Sequence, residues 1–246
     1  MKILNVLTAK AIWLFDINDL NPRGKDIFPE LIDWLKDAYH FEKVPASVTD
    51  TDATTKALTF ERGRFQIREE IYISVDLQVF NDGIVANSRS STRETEVFLE
   101  DVLTTAAKEF SLAYSSDMIR AKMCVSELTV RMESVLFELN PKLVDFANTI
   151  SSICELPNTT PFVLSGLTFR TDVAVSLFKP SPFILEHKVN VPFSENKYFS
   201  RAPVHTDQHE ELLKGFEGDL LGTSKQETHD LLVKRPKRAI SFKNEV

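Results

Sequence analysis

Residues 65–110 constrain the fold more than any other stretch, because a strand pattern and a helix pattern follow each other directly. Between residues 67 and 79 every odd position except Glu69 is apolar, and the even positions are mainly polar. A period of two over this length is typical of a β-strand with one buried and one solvated face. The pattern predicts a long strand that ends at Phe80.

The residues after this strand predict a hairpin and a covering helix. Asn81-Asp82-Gly83 supplies the residue types that tight hairpin turns require, so residues 84–90 are expected to return as the partner strand. After Ser91-Thr92 the apolar residues follow helical spacing as far as Phe110. The whole stretch therefore predicts a β-hairpin whose apolar face is covered by a helix.

The last third of the chain repeats this theme. Most odd positions are again apolar over residues 163–177 and 183–193, with Pro180-Ser181-Pro182 between them, and a helix is predicted over residues 206–221. Residues 91–99 and 205–213 occupy equivalent places, each opening a helix with acidic residues in its first turn. Gene duplication and shared capping rules both explain this likeness.

Four further elements complete the prediction. A short buried strand is expected over residues 11–15 and an amphipathic helix over residues 26–40. Residues 122–139 predict a strand that changes phase at a bend near residues 133–134. Asn140-Pro141 suits the start of a helix that runs to Cys154.

The pattern as a whole predicts an α+β protein with a predominantly antiparallel, or mixed, sheet of long amphipathic strands covered by helices. It contains two similar β-hairpin–helix units. We expect an N-terminal β-α subdomain over residues 1–45, a loop or linker over 46–56, an α+β body over 57–221 and a basic, flexible tail over 222–246.

Composition excludes some classes of function. The 246 residues include 29 basic and 36 acidic ones, and a net charge of −7 gives no general attraction to nucleic acid or anionic membranes. The longest uncharged run is too short to cross a bilayer. Two cysteines without motif spacing favour buried thiols in a reducing compartment. A cytoplasmic protein that does not bind membranes is expected.

The nearest approach to a metal motif is the pair His205 and His209, with Asp207 and Glu210 beside it. Histidines at i and i+4 of a helix can share zinc or a similar divalent ion. An exposed polar helix start explains the same residues, and no cofactor is the first expectation. His187 lies in the apolar row of its strand, where a core residue or a pocket wall is expected more often than a catalyst.

Two groups of basic residues are candidates for anion binding. Arg23 and Lys25 lie in a loop before a helix, where backbone N–H groups can also hold an anion, although the sequence favours a plain helix-entry loop. The tail carries a cluster that could contact nucleic acid or an acidic partner chain. Its members are Lys234, Arg235, Lys237 and Arg238.

The leading functional hypothesis is a non-enzymatic binding or assembly protein that works in a homo-oligomer or a multi-protein complex. It depends on clear scaffold patterning and on the low glycine content, seven in the chain, because phosphate-binding and active-site loops usually need glycine. One alternative is a metal-dependent hydrolase that uses His205 and His209. Another is a nucleic-acid-associated accessory protein that acts through the tail. Whether the protein is an enzyme stays open, and the hypothesis favours that it is not.

Overall fold

A computed structural model describes residues 1–47, 49–52, 56–136, 139–154, 161–172 and 179–220. In these residues one antiparallel sheet of eight strands carries four α-helices, which confirms the predicted α+β class. The strand order is β2-β3-β4-β1-β5-β8-β7-β6. The strands are β1 (Lys2–Leu14), β2 (Leu58–Arg68), β3 (Ile71–Phe80), β4 (Gly83–Ser88), β5 (Ala121–Arg131), β6 (Gly166–Phe169), β7 (Phe183–His187) and β8 (Lys197–Ala202), and the helices are α1 (Phe28–Tyr39), α2 (Thr92–Phe110), α3 (Pro141–Ile153) and α4 (Thr206–Leu220).

The fold consists of two halves with the same order of elements. Each half runs strand, helix, three-stranded meander and helix: β1-α1-β2-β3-β4-α2 is followed by β5-α3-β6-β7-β8-α4. The strand order is also mirrored about the β1–β5 pair, where the two halves join. The two predicted hairpin–helix units are therefore the outer parts of a repeated architecture.

The helices α2 and α4 begin side by side at the junction of the halves. The backbone N–H of Thr92 donates to Thr206 Oγ1 at 3.1 Å, and the N–H of Thr206 donates to Thr92 Oγ1 at 3.0 Å. Each threonine thus caps the start of the other helix. The next pair of equivalent residues also meets, since Arg93 donates to Asp207 Oδ2 at 2.8 Å.

The core lies on the face of the sheet that α1, α2 and α4 cover. In the first half it holds several large buried side chains, including Trp13, Phe60, Phe98 and Leu99. A smaller cluster in the second half includes Leu128, Met132, Leu185 and Leu213. Burial of these groups is the main favourable term in folding.

The predicted hairpin turn is confirmed, and Gly83 shows why that residue type stands there. Gly83 pairs with Phe80 across Asn81-Asp82, and its φ is +153°. A Cβ at this position would lie 2.1 Å from the carbonyl oxygen of Trp13, so a side chain has no room.

Three strand predictions were wrong in extent. The long strand before Phe80 is two strands, β2 and β3, separated by a turn at Glu69-Glu70 where Glu70 has a φ of +62°. The chain leaves the sheet at Arg131 instead of bending onward, and β7 ends at His187 instead of continuing to residue 193. Within the last third, residues 173–178 lie outside the described part of the chain.

Residues 1–45 share the sheet and the core with the rest of the chain. The strand β1 lies at the middle of the sheet and pairs with β4 and β5, and α1 packs over β2. The segment 42–43 bonds through its backbone to Glu61, beside the outer edge of β2. The proposed subdomain boundary at residue 45 stays a prediction.

Candidate functional site

The face of the sheet opposite these three helices carries mostly polar side chains, and we call it the polar face. Its residues alternate with the buried ones along each strand, as the period of two requires. On the central strands they include Lys10, Asp76, Asn87 and Glu127. Arg64 and Tyr72 on the hairpin β2–β3 and Phe199 and Arg201 on β8 extend the same face.

A groove of about 650 Å³ crosses the polar face over five adjacent strands, β2, β3, β4, β1 and β5. This volume lies within the range of ordinary ligand pockets. The lining is polar and contains both charge types: Leu7, Thr8, Lys10, Glu61, Arg62, Ser74, Asp76, Asn87, Ser88, Arg89 and Glu127.

Most acidic groups in the groove already have a partner. Glu127 Oε1 accepts from Arg201 Nε at 2.7 Å. Glu61 pairs with the Lys43 ammonium group at 2.8 Å, and Asp76 Oδ1 accepts from the backbone N–H of Arg62 at 2.8 Å. Among the described residues, all three carboxylates of the groove therefore accept a hydrogen bond or form an ion pair.

Lys10 and Arg89 form no ion pair with any other described residue. Asn87 is the register partner of Lys10 and lies two residues before Arg89, and its Oδ1 atom is buried and has no hydrogen-bond partner in the described structure. A buried polar atom without a partner costs free energy, so a ligand that satisfies it would gain affinity. The groove therefore has two cations and an amide available for an anionic, hydrogen-bonding ligand.

Three arginines lie on one level across the sheet. Arg64 on β2 is opposite Ser74 on β3, and Arg89 directly follows Ser88, which pairs with Val75 next to Ser74. Farther along, Thr8 on β1 faces Glu127 on β5, and Glu127 faces Arg201 on β8. The register thus brings basic residues from distant parts of the chain into a row perpendicular to the strands.

The helices have the opposite charge balance. Acidic residues outnumber basic ones on α1, α2 and α4, and Asp207 and Glu210 lie on the last of these. On β2, β5 and β8 basic residues outnumber acidic ones. The charge of the described residues is therefore unevenly distributed, with acidic helices beside these more basic strands.

The structure places the two histidines of the proposed metal site in different surroundings. His209 is fully buried, and its Nε2 lies 2.8 Å from Ser200 Oγ. Burial lowers the pKa of His209 to about 4. The Nδ1 of His205 lies 3.1 Å from Thr92 Oγ1, at the junction of the helices. Among the described residues no three potential ligands group around a common point, and the metal site remains a prediction.

His187 lies beside two aromatic rings near one end of the sheet. Its ring stacks on Phe193 with a centroid distance of 4.1 Å and meets Tyr198 edge-on at 5.7 Å. Its Nε2 is buried without a hydrogen-bond partner among the described residues. These contacts are typical of a residue that packs at the edge of the smaller core cluster in the second half.

The loop with Arg23 and Lys25 is organised by Asn21. The side chain of Asn21 donates to the carbonyl of Lys25 at 2.8 Å and accepts from its N–H at 3.2 Å. Arg23 and Lys25 are exposed and precede the helix start at Phe28, and anion binding there remains a prediction. The basic cluster at residues 234–238 lies outside the described residues.

A second candidate surface lies on α3. The predicted helix start is confirmed, since the Asn140 side chain accepts from the N–H of Lys142 at 2.9 Å. None of the α3 residues is buried, although its apolar side chains follow one stripe. Phe162 joins this helix through a 2.8 Å hydrogen bond from its N–H to Ser151 Oγ. We call the stripe and Phe162 the α3 surface: Leu143, Phe146, Ile150, Ile153 and Phe162.

Comparisons with known proteins give no family for this chain. No family model matches it, and no curated protein matches its sequence. No helix of the described residues is both long and apolar enough to cross a membrane. The polar face and the α3 surface are therefore the candidate functional sites of the chain.

The groove could not be predicted from the sequence because its residues come from five different strands. In addition, Glu61 and Arg62 lie at a register shift of β2, between Phe60 and Gly63, where the period of two is interrupted. Lys10, a charged residue between buried Ala9 and Ala11, was the available signal for a solvated face at the centre of the sheet.

Proposed function

We propose that this chain is a non-enzymatic binding or assembly protein that works as an oligomer, and that a second copy of the chain packs on the α3 surface. The observation that supports this proposal is the exposure of apolar side chains on α3. Phe146 is 62% exposed and Ile153 is 74% exposed. We also propose the cytoplasmic location that the sequence predicts.

The first half shows what an equivalent helix does when it has a partner surface. The helix α1, which occupies the same place in the element order, buries Ile32, Leu35 and Tyr39. Exposed apolar patches on folded proteins commonly mark protein–protein contacts. Burial of one Phe or Ile side chain contributes roughly 1.5–3 kcal/mol, so a few such side chains from each copy can stabilise a dimer.

The charge on α3 favours a second copy as the occupant. Its only charged residues are Lys142 and Asp145, so the helix is close to neutral. Two neutral helices can pack stripe to stripe about a two-fold axis without repulsion between like charges. The acidic helices α2 and α4 lack this property.

The experiment is a measurement of solution mass by light scattering across a range of protein concentrations. We expect the wild-type chain to form a dimer or larger oligomer, and the double variant Phe146→Ser, Ile153→Ser to shift it toward the monomer. The matched control is Val97→Ser, which removes an apolar side chain of 54% exposure from α2. It should leave the mass unchanged.

A wild-type chain that stays monomeric throughout the range would overturn self-association. So would a double variant that keeps both its native circular dichroism and the wild-type mass. Circular dichroism of each variant separates a lost interface from a lost fold.

A further inference from the structure

We infer that the polar face binds single-stranded nucleic acid, laid across the strands from β2 to β8. This inference concerns a different surface from the α3 surface and does not depend on self-association. It also differs from binding through the basic tail, because the residues that carry it lie in the sheet.

The first support is the charge of the face. Arg64, Arg89 and Arg201 lie on one level across the sheet, Arg201 in an ion pair with Glu127. Lys10 lies on β1, two residues from Thr8 of the same level. Cations spread over a surface, instead of gathered at one point, match a ligand whose negative charges are also spread. A phosphodiester strand has this property, and cation–phosphate contacts supply much of the affinity of such complexes.

The second support is the pairing of arginines with aromatic rings. The Arg64 guanidinium lies 5.3 Å from the centroid of the Tyr72 ring, and that of Arg201 lies 5.7 Å from the Phe199 ring. Tyr72 is 51% exposed. Aromatic rings beside cations are the usual platform on which unpaired bases stack.

The groove supplies the third support, because it sits between these two ends. Neighbouring strands of a sheet are about 4.8 Å apart, so the six strands from β2 to β8 span roughly 24 Å. This is enough for several nucleotides of an extended strand. The unpartnered Asn87 amide lies midway and can bond a base edge, whereas in a duplex those edges are already paired.

Asp76 and Glu127 also line the groove, so its surface carries negative as well as positive charge. Both already accept hydrogen bonds, Asp76 from the Arg62 backbone and Glu127 from Arg201. Their charges restrict where phosphates can lie and favour the path over Arg64, Arg89 and Lys10. A carboxylate beside Asn87 also suits the amino groups of bases.

The experiment is fluorescence anisotropy with the full chain and a labelled twelve-nucleotide oligothymidine at low salt. The double variant Arg64→Glu, Arg89→Glu should weaken binding at least tenfold. The matched control Lys36→Glu, Lys108→Glu makes the same change in net charge on the helical side, at exposed residues, and should change affinity less than twofold. Tyr72→Ala should weaken binding roughly fivefold or more through lost stacking.

Salt dependence gives a second readout that a folding defect would not produce. Loss of two phosphate contacts should reduce the slope of log K against log salt by about 1.4 for a single strand. Changing the four basic residues of the tail cluster, Lys234, Arg235, Lys237 and Arg238, to Gln in the full chain should leave the sensitivity to Arg64→Glu, Arg89→Glu intact.

Three results would overturn the inference. One is no binding of the oligonucleotide, or binding that the face variant does not weaken relative to its control. Another is equal affinity for the duplex of the same length, which would remove the role of unpaired bases. The third is equal, variant-sensitive binding of a labelled polyglutamate peptide, which would make the face a site for acidic protein segments.

Discussion

The two halves of the molecule have the same order of elements and differ in how their first helices are packed. In the first half α1 packs over β2, and its Tyr39 donates to Asp101 of α2 at 2.7 Å and meets the Phe98 ring at 5.2 Å. In the second half α3 leaves its stripe exposed. The equivalent helices α1 and α3 therefore differ in burial: α1 has buried side chains and α3 has none.

The largest expected effect tests whether the halves form one cooperative unit. Leu99 and Leu213 are equivalent residues of α2 and α4, and both are fully buried. Each substitution to Ala should lower the free energy of unfolding by roughly 3–4 kcal/mol, because it leaves a cavity. Chemical denaturation should show a single transition for both variants. Two separate transitions after Leu213→Ala would mean that the second half unfolds alone.

The next effect separates the halves by pH. Thr95 of α2 and His209 of α4 are equivalent buried residues, and only His209 titrates. Its folded pKa of about 4 lies below the usual 6.5, so its neutral form is favoured in the folded state. Stability from this group is complete above pH 6.5 and is lost as the pH falls toward 4, by up to about 3 kcal/mol.

The measurement is urea denaturation at several pH values for the wild type and for His209→Gln, which keeps a donor near Ser200 Oγ. The variant should lose less stability than the wild type between pH 6.5 and pH 4. Parallel pH profiles for the two proteins would contradict the assignment.

A smaller effect concerns the shared helix starts. Thr92→Ala and Thr206→Ala should each cost about 1 kcal/mol, the usual effect of a lost helix cap. Each substitution removes the hydroxyl that accepts a hydrogen bond from the first N–H of the other helix, so it destabilises the helix start in the other half. A double-mutant cycle measured by thermal unfolding should give a non-zero coupling energy, and strictly additive costs would contradict the reciprocal bonding.

The smallest effect is expected from Arg93 and Asp207, which meet between the halves. Both are more than half exposed, and the Arg93 guanidinium lowers the pKa of Asp207. Arg93→Ala should shift the melting temperature less than either threonine substitution, and the shift should shrink as salt is added. A larger shift than that of Thr92→Ala would show that the ion pair, rather than the caps, joins the helix starts.

Local signals made part of the fold predictable from the sequence. The turn at Asn81-Asp82-Gly83, the end of α2 at Phe110 and the start of α3 after Asn140 were predicted and are confirmed, because each depends on neighbouring residues. The extent of β1 was missed. Its register shifts at residues 3–5 and 6–8 break the period of two that would have revealed it.

The split of the first long strand was missed for a related reason. A tight turn at Glu69-Glu70 returns the chain with its apolar residues still at odd positions, so the pattern of β2 continues into β3. Glu69 in the apolar row was the only sign. The groove and the row of arginines depend on strand register across the sheet, which no local pattern specifies.

The central position of β1 has a consequence for how the chain reaches its native state. One edge of β1 pairs with β4 and the other with β5, and both partners lie far along the chain, as the pairs Ala9–Ser88 and Ala9–Ser126 show. Ordering these contacts requires closure of long loops, which slows folding in comparison with helical proteins of local topology. Until β5 has been synthesised, one edge of β1 in the growing chain has no partner strand, and unpaired strand edges favour aggregation.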